Sequence, residues 1–340
     1  MSFSWRMWIV YPFSFVVLLT IMSCTTRPTE LDLYREFHQG KQGLTTTLVG
    51  VPLELLEQTP FTFSVKIDNL GAYGADGLTV LSMEEDYLCL YDSATQRCVP
   101  EDYKERQKVR SFVLNGRSRY SPRGESAMVE YPLKTKNIDA LSEQHTSHIT
   151  ATTCYAYTTE FIGEACLDPW KYTLKKSKPV CDMKTIKATD QGAPIAITNV
   201  AVDLMPDGGV VKPLFTFTVE NKGKGITIYP ATKINELCSS SQLSFREANA
   251  IALQELKLSN GLFYIYGRDD INTMVCEQNP LILKEGTAQI RCYQKSQRAY
   301  DQFTIENTRP AFTVQLSATF AYGYMENTGQ NLVIRKAVIR

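Results

Sequence analysis

Residues 149–157 read Ile-Thr-Ala-Thr-Thr-Cys-Tyr-Ala-Tyr, and residues 316–324 read Leu-Ser-Ala-Thr-Phe-Ala-Tyr-Gly-Tyr. In both stretches an apolar or aromatic side chain recurs at every second position. A period of two places these side chains on one face of a β-strand, so each stretch is predicted to be a strand with one buried face. Because the stretches lie near the ends of the two halves of the chain, they are the first indication of an internal repeat.

Two further pairs of segments match in the same order along the chain. Phe63–Gly71 aligns with Phe215–Gly223, and Gly124–Tyr131 aligns with Gly286–Tyr293. The first pair ends in an acid, Asn, any residue, Gly turn, whose Asn and Gly tolerate conformations that other residues resist. Three collinear matches indicate duplication, and their unequal offsets are typical of loop insertions. Convergent strand patterning is the alternative explanation.

Frequent turn signals between short strands predict an all-β fold made of two tandem immunoglobulin-like antiparallel β-sandwiches. The predicted organisation is a signal or anchor helix at 1–23, a tether at 24–45, a first sandwich at 46–185 and a second at 193–340. Once the first segment is set aside, the remaining roughly 320 residues fit two domains.

A short crossover helix is predicted in the second domain. Ser244 and Glu247 have the spacing of a capping box, and Ala248, Ile251 and Leu256 follow at helical spacing. The helix is expected to cover one end of the second sandwich.

The amino terminus predicts export and attachment to a membrane. An apolar run from Met7 to Met22 is followed by the small residue Ser23 and then by Cys24. With Ile21, this order resembles the bacterial lipobox, whose cysteine is lipidated and becomes the mature amino terminus. Lipidation of Cys24 is therefore the favoured interpretation, with an uncleaved anchor helix or plain secretion as alternatives. Either form of anchoring predicts an extracytoplasmic protein held at the cell surface.

Of nine cysteines, eight remain once Cys24 is set aside, and an even number in an exported chain predicts up to four disulfides. Cys89 with Cys98 and Cys276 with Cys292 each bracket a turn between strands, so these pairs are expected first.

The other four cysteines allow three connectivities. Of these we favour Cys154 with Cys166, which leaves Cys181 to pair with Cys238 and join the two halves. None of the eight has the short paired spacing of a zinc knuckle.

The strand and turn at Asp68–Gly71 and Glu220–Gly223 resemble the signature of CARDB-like immunoglobulin-like modules in surface proteins of archaea and bacteria. The overall layout is similar to that of two-domain, cysteine-bearing exported proteins of small-genome archaea. This resemblance covers about a tenth of the chain and implies a β-sandwich with an adhesive or structural role at the surface. It implies no catalytic residues.

Motifs for catalysis or metal binding were sought and not found in the sequence. It contains no nucleophile elbow, phosphate-binding loop or paired metal-binding histidines on a helix. His145 and His148 lack an evident third ligand, and the acids at 84–86 and 269–270 are interpreted as solvated loops. Thirty-six basic and thirty-six acidic residues balance, without a basic stripe for nucleic acid. We therefore expect no enzyme activity, no cofactor and no metal.

The four alternate tyrosines have two interpretations, a stacking platform for carbohydrate and a packed sandwich face. The packed face is favoured for Tyr155, Tyr157, Tyr322 and Tyr324. The sequence thus predicts a non-enzymatic surface protein for adhesion, envelope structure or assembly with other envelope proteins. A binding module for an envelope glycan or a small solute is the alternative.

Overall fold

The computed structural model describes residues 36–172, 179–239, 243–244, 246–258, 265–266, 274–294 and 305–337. The predicted helix at 1–23 and Cys24 lie outside the described residues, as do Asp269 and Asp270. The chain is 59% strand and 6% helix, which confirms the all-β prediction. The described residues from Phe37 onward form one compact unit.

The described part of the first half contains nine strands and, within the sandwich, one helix. The helix, α1, spans Glu101–Lys108 and follows Pro100. The strands are β1 (Leu44–Val49), β2 (Glu54–Leu56), β3 (Pro60–Asn69), β4 (Ala75–Met83), β5 (Leu88–Asp92), β6 (Arg97–Cys98), β7 (Val109–Leu114), β8 (Ser126–Thr135) and β9 (Gln144–Leu167).

The described part of the second half contains eleven strands and a second short helix. A 3₁₀ turn at Ala231–Lys233 leads into this helix, α2, at Ile234–Ser239. The strands are β10 (Ile186–Lys187), β11 (Ile195–Asp207), β12 (Val210–Asn221), β13 (Ile226–Ile228), β14 (Ala250–Leu258), β15 (Ile265–Tyr266), β16 (Met274–Cys276), β17 (Leu281–Ile282), β18 (Thr287–Gln294), β19 (Ile305–Glu306) and β20 (Phe312–Arg335).

The strands form three sheets, all antiparallel except for the parallel pairing of β2 with β20. Sheet 1 has the order β1-β3-β8-β5-β6. Sheet 2 has the order β10-β11-β12-β18-β16, with β19 beside β12. The central sheet has the order β15-β14-β20-β9-β4-β7, with β2 and β13 beside β20 and β17 beside β14. The central sheet therefore contains strands from both halves of the chain.

A long two-stranded ribbon joins the halves at the middle of the central sheet. The ribbon consists of β9 and β20, which pair from Leu167 opposite Phe312 to Gln144 opposite Arg335. The sequence repeat matches Ala156 with Gly323, and these same residues are opposite each other in the ribbon. Antiparallel pairing of two equivalent strands places an approximate two-fold axis at that point.

Sheets 1 and 2 pack on the same face of the ribbon, so each half is a two-layer sandwich. In the first half, the Thr46 hydroxyl of β1 lies 3.0 Å from that of Thr153 on β9. In the second, the Phe217 ring of β12 contacts Phe161 of β9 and Phe320 of β20. A single hydrophobic core extends over both sandwiches. The boundaries at 46–185 and 193–340 stay a prediction of the sequence.

Residues 229–249 form an insertion that interrupts one strand of the second half. In the first half, β4 runs without a break past Ala156 and Cys154 of β9. In the second half, β13 ends opposite Gly323 and β14 begins its pairing at Ala321. The insertion carries α2 to the other face of the central sheet, where Ile234 and Leu237 pack in a small apolar cluster.

The prediction of a helix beginning at Ser244 is wrong, although a short helix does lie nearby at α2. Only half of the capping box forms, since Ser244 N–H donates to Glu247 Oε2 at 3.0 Å, while the Ser244 hydroxyl donates to the same oxygen at 2.6 Å. The turn then stops at Asn249, whose φ of 56° is left-handed. The strand β14 follows, and a β-bulge between Leu253 and Glu255 offsets its alternation, so its apolar spacing resembled that of a helix.

All eight remaining cysteines are joined in four disulfides. The expected pairs Cys89–Cys98 and Cys276–Cys292 are present. The favoured pairing of the other four is wrong, because the structure joins Cys154 to Cys238 and Cys166 to Cys181. Cys154 points to the face of the central sheet that α2 covers, whereas Cys166 lies near the end of β9, close to the segment that leads to Cys181.

Four disulfides are consistent with an extracytoplasmic location. Among the described residues, no helix has the length and hydrophobicity needed to cross a membrane.

Candidate functional site

Each half contains the same hydrogen-bonded corner where its Asn-x-Gly turn meets the ribbon. In the first corner, Asn69 Nδ2 donates to the Tyr73 carbonyl at 2.8 Å, and Asn69 Oδ1 accepts from Gly71 N–H at 3.1 Å. The Tyr157 hydroxyl accepts from Tyr73 N–H at 3.2 Å.

The second corner repeats these bonds. Asn221 Nδ2 donates to the Gly225 carbonyl at 2.8 Å, and Asn221 Oδ1 accepts from Gly223 N–H at 3.0 Å. The Tyr324 hydroxyl accepts from Gly225 N–H at 2.8 Å and lies 3.2 Å from Asn221 Oδ1, to which it donates. The matching sequence segments therefore hold the same local contacts.

The glycine of each turn permits this close approach. A Cβ atom on Gly71 would lie 2.0 Å from the Tyr157 hydroxyl, and one on Gly223 would lie 2.1 Å from the Tyr324 hydroxyl. No side chain fits at such a distance, so the Asn, Gly and Tyr of each corner form one unit.

The four ribbon tyrosines are buried, with exposed fractions of 0% to 3%. The Tyr155 hydroxyl accepts from Leu44 N–H at 3.2 Å, and the Tyr322 hydroxyl lies 2.8 Å from that of Thr159. Burial raises the pKa of Tyr324 to about 12 and that of Tyr157 further, so both phenols stay protonated at neutral pH. Because their faces are covered by protein, these rings cannot stack on a sugar.

Replacing the corner asparagines should destabilise the protein unequally. Asn69 is fully buried, so Asn69→Ala removes the buried hydrogen bonds of its side chain to the Gly71 N–H and to the Tyr73 and Leu114 carbonyls. We expect a loss of about 2–4 kcal/mol in the free energy of unfolding. The equivalent Asn221 is only partly buried, and Asn221→Ala should cost about 1–2 kcal/mol because water can replace its bonds. Urea unfolding of both variants measures the difference, and equal losses would contradict it.

A cleft of about 260 Å³ opens beside the second corner, between the entry to β1 and the turn after β12. Tyr155 and Tyr324 lie at its base, where each residue is only 1% exposed. Its walls come from the entry to β1, from Pro194 and from the turn after β12. The charged side chains that line it are Lys41, Lys222, Lys224 and Glu326.

Glu326 is the unusual member of the cleft. It follows Tyr322 and Tyr324 in the alternation of β20, so its side chain points inward. No hydrogen bond reaches its carboxyl group from any residue that the structure describes, and desolvation raises its pKa despite the nearby Lys224. The sequence analysis did not select Glu326. It could have been noticed because it follows Tyr322 and Tyr324 at every second position, which places an acid among residues that face the core.

The two histidines considered as metal ligands lie on different faces of β9. His145 stacks on Tyr87, with ring centroids 3.6 Å apart, and its Nε2 lies 2.8 Å from Glu84 Oε2. His148 Nδ1 lies 2.7 Å from Asn331 Oδ1 on the neighbouring strand. The hydrogen bond from His145 lowers the pKa of Glu84. The described residues contain no group of three or more metal-binding side chains.

A second recess of about 610 Å³ lies beside the Cys89–Cys98 disulfide and α1. The carboxylate of Asp92 lines it, but this group accepts from Ala94 N–H at 2.9 Å and from the Thr95 hydroxyl at 2.8 Å. These bonds lower the pKa of Asp92 and hold the β5–β6 turn, so they account for the acid by local structure.

Among the strands of the first half that lie at sheet edges are β1 and β7. β1 forms one edge of sheet 1, and β7 forms an edge of the central sheet. Val113 on β7 is 73% exposed, and Tyr120 in the loop that follows is 97% exposed. Edge strands carry backbone groups that can pair with another chain, so these are the described surfaces best suited to protein contact.

No protein-family profile and no curated protein matches the sequence. Among solved structures, red sea bream transglutaminase aligns over 88% of this chain with 9% identity and a TM-score of 0.20. The chain spans about a third of the length of that protein, as the alignment covers 32% of it.

Proposed function

We propose that this protein is a non-enzymatic, membrane-anchored cell-surface protein that acts in adhesion, envelope structure or assembly with other envelope proteins. The observation that carries the proposal is the distribution of the four disulfides over one continuous body. They lie in both sandwiches, and Cys154–Cys238 ties the insertion of the second half to a strand of the first. An extracytoplasmic scaffold needs this kind of oxidised, cross-linked body.

The proposed contacts are made by edge strands and end loops. β7 and the loop that contains Tyr120 offer backbone groups and exposed side chains at one border of the protein. A partner strand that pairs with an edge gains affinity from main-chain hydrogen bonds. CARDB-like membership agrees with this role and belongs to the same proposal.

The membrane anchor is tested by replacing its proposed attachment residue. In Cys24→Ser the thiol that would carry the diacylglyceryl group is absent, so the protein should move from the membrane fraction to the soluble fraction. Cell fractionation with immunoblotting measures the shift, and palmitate labelling should disappear in the same variant.

Thr25→Ser is the matched control and should stay with the membrane and keep the label. Retention of Cys24→Ser in the membrane would overturn lipidation and favour an uncleaved helix. Protease added to intact cells should degrade the wild-type protein, and full protection would contradict a surface location.

A small-solute binding module is the second candidate, and the cleft beside Glu326 favours it. A glycan platform on the ribbon tyrosines is not retained, because all four rings are buried.

A further inference from the structure

We infer that the cleft beside the second corner binds a monosaccharide-sized hydroxy acid, with its acid group at Lys41 and Lys224 and a hydroxyl group at Glu326. This inference deepens the second candidate function and does not depend on the surface role. Failure to bind such a ligand would leave the membrane-retention experiment unaffected.

The charges of the cleft favour an anionic ligand. Lys222 forms an ion pair with Glu220 and is thereby neutralised. Lys41 and Lys224 then face a single carboxyl group, that of Glu326. Neither lysine has an acidic partner within ion-pair distance in the described structure. An acid group between these two ammonium groups would gain charge-assisted hydrogen bonds.

The polar groups at the floor favour a ligand that also carries hydroxyls. The Tyr155 hydroxyl accepts from Leu44 N–H, and its own hydrogen has no acceptor among the described residues. Glu326 can accept a hydroxyl donor, which would satisfy a half-buried carboxyl group that has no protein partner. Tyr324 offers no hydrogen bond to a ligand, since its hydroxyl is engaged with Gly225 and Asn221.

The size of the cleft sets the size of the ligand. Its volume of about 260 Å³ is below that of pockets for drug-sized molecules. At roughly 30 Å³ per water molecule, the space would hold about eight or nine waters. A hexuronic acid is of this size and combines one carboxylate with several hydroxyls.

Isothermal titration of the full chain in detergent micelles tests the inference, with D-galacturonate, D-galactose and inorganic phosphate as probes. Galacturonate should bind, and galactose, which lacks the carboxylate, should bind at least about tenfold more weakly. The double variant Lys41→Gln with Lys224→Gln should also lose at least about tenfold in affinity for galacturonate. Lys187→Gln, an exposed lysine on β10, is the matched control and should bind as the wild type does.

Glu326→Gln separates the role of the carboxyl group from that of the lysines. This variant should bind galacturonate several-fold more weakly than the wild type. Its affinity for phosphate should be unchanged or higher, since a negative charge is removed from the cleft. Absence of galacturonate binding at about 10 mM, or equal affinity of the wild type and the lysine double variant, would overturn the inference. Equal affinity for galactose and galacturonate would overturn it as well.

Titration with a galacturonate trimer shows whether the ligand is the end of an acidic glycan or a free sugar acid. Tighter binding of the trimer assigns the ligand to the end of an acidic glycan, and equal or weaker binding assigns it to the free sugar acid. Both results support the inference. Thermal unfolding confirms that each variant is folded at the titration temperature, and the single lysine variants replace the double variant if that one is not.

Discussion

The double variant Cys154→Ala with Cys238→Ala should lose about 4 kcal/mol in the free energy of unfolding, the largest effect expected for any cysteine pair in this protein. The reason is chain entropy, because this disulfide closes a loop of 84 residues and the cost of closure rises with loop length. Both sulfur atoms also lie in the apolar cluster between α2 and the central sheet. Without the bond, the insertion at 229–249 should separate from this sheet before the ribbon opens.

Urea unfolding of non-reduced protein measures the loss, and hydrogen exchange locates it. Cys89→Ala with Cys98→Ala is the matched control, since its separation of nine residues predicts a smaller loss of about 2.5 kcal/mol. Faster exchange confined to the insertion is the expected pattern in the first variant. Equal losses in the two double variants would contradict the loop-length argument.

Phe217→Ala should lose about 3–5 kcal/mol, because it removes a fully buried ring at the point where β12 meets both strands of the ribbon. The ring centroid of Phe217 lies 6.5 Å from that of Phe161 and 6.3 Å from that of Phe320. One strand of the ribbon comes from each half, so the cavity would weaken the attachment of sheet 2 to both.

Calorimetric and urea unfolding of Phe217→Ala measure this loss. Val113→Ala on the edge strand β7 is the control, and its 73% exposure predicts a change within about 0.5 kcal/mol. A loss below about 1 kcal/mol for Phe217→Ala would contradict a close-packed joint between sheet 2 and the ribbon.

The corners explain why the repeat could be recognised from sequence. In the first corner, specific contacts depend on Asn69, Gly71 and Tyr157. The same contacts in the second corner depend on Asn221, Gly223 and Tyr324. A substitution at any of these positions would leave buried backbone groups unpaired or bring atoms too close. These local contacts restrict which residues can occupy the corner positions. The same residues therefore occur in both halves, and the repeat is visible in the sequence.

The helix predicted from Ser244 shows that a local sequence pattern was not sufficient to predict the secondary structure of this segment. Half of the capping box at Ser244 formed, and it closed only one turn. Ala250–Leu258 forms a strand because it pairs with β20. The β-bulge in this strand offsets the alternation of its apolar residues, so their spacing resembles that of a helix. Tertiary pairing outweighed local propensity at this segment.

The residues of the candidate site could not be predicted as neighbours from the sequence. Lys41, Lys224 and Glu326 are far apart in the chain and become neighbours only because two antiparallel strands bring both corners to the middle of one sheet. A reader of the sequence could identify Glu326 as an acid in an inward register. Its lysine neighbours depend on how sheets 1 and 2 approach each other on the ribbon.

By itself, the sequence determined the strands, the repeated turns, the all-β class and two of the three disulfides that close short loops, because alternation and turn chemistry act within a few residues. Only the tertiary structure decided that the two repeats share one ribbon, that Cys154 pairs with Cys238 and that a charged cleft lies beside the second corner. These features depend on which faces and edges meet across long separations in the chain, and such choices are made by packing of the whole core.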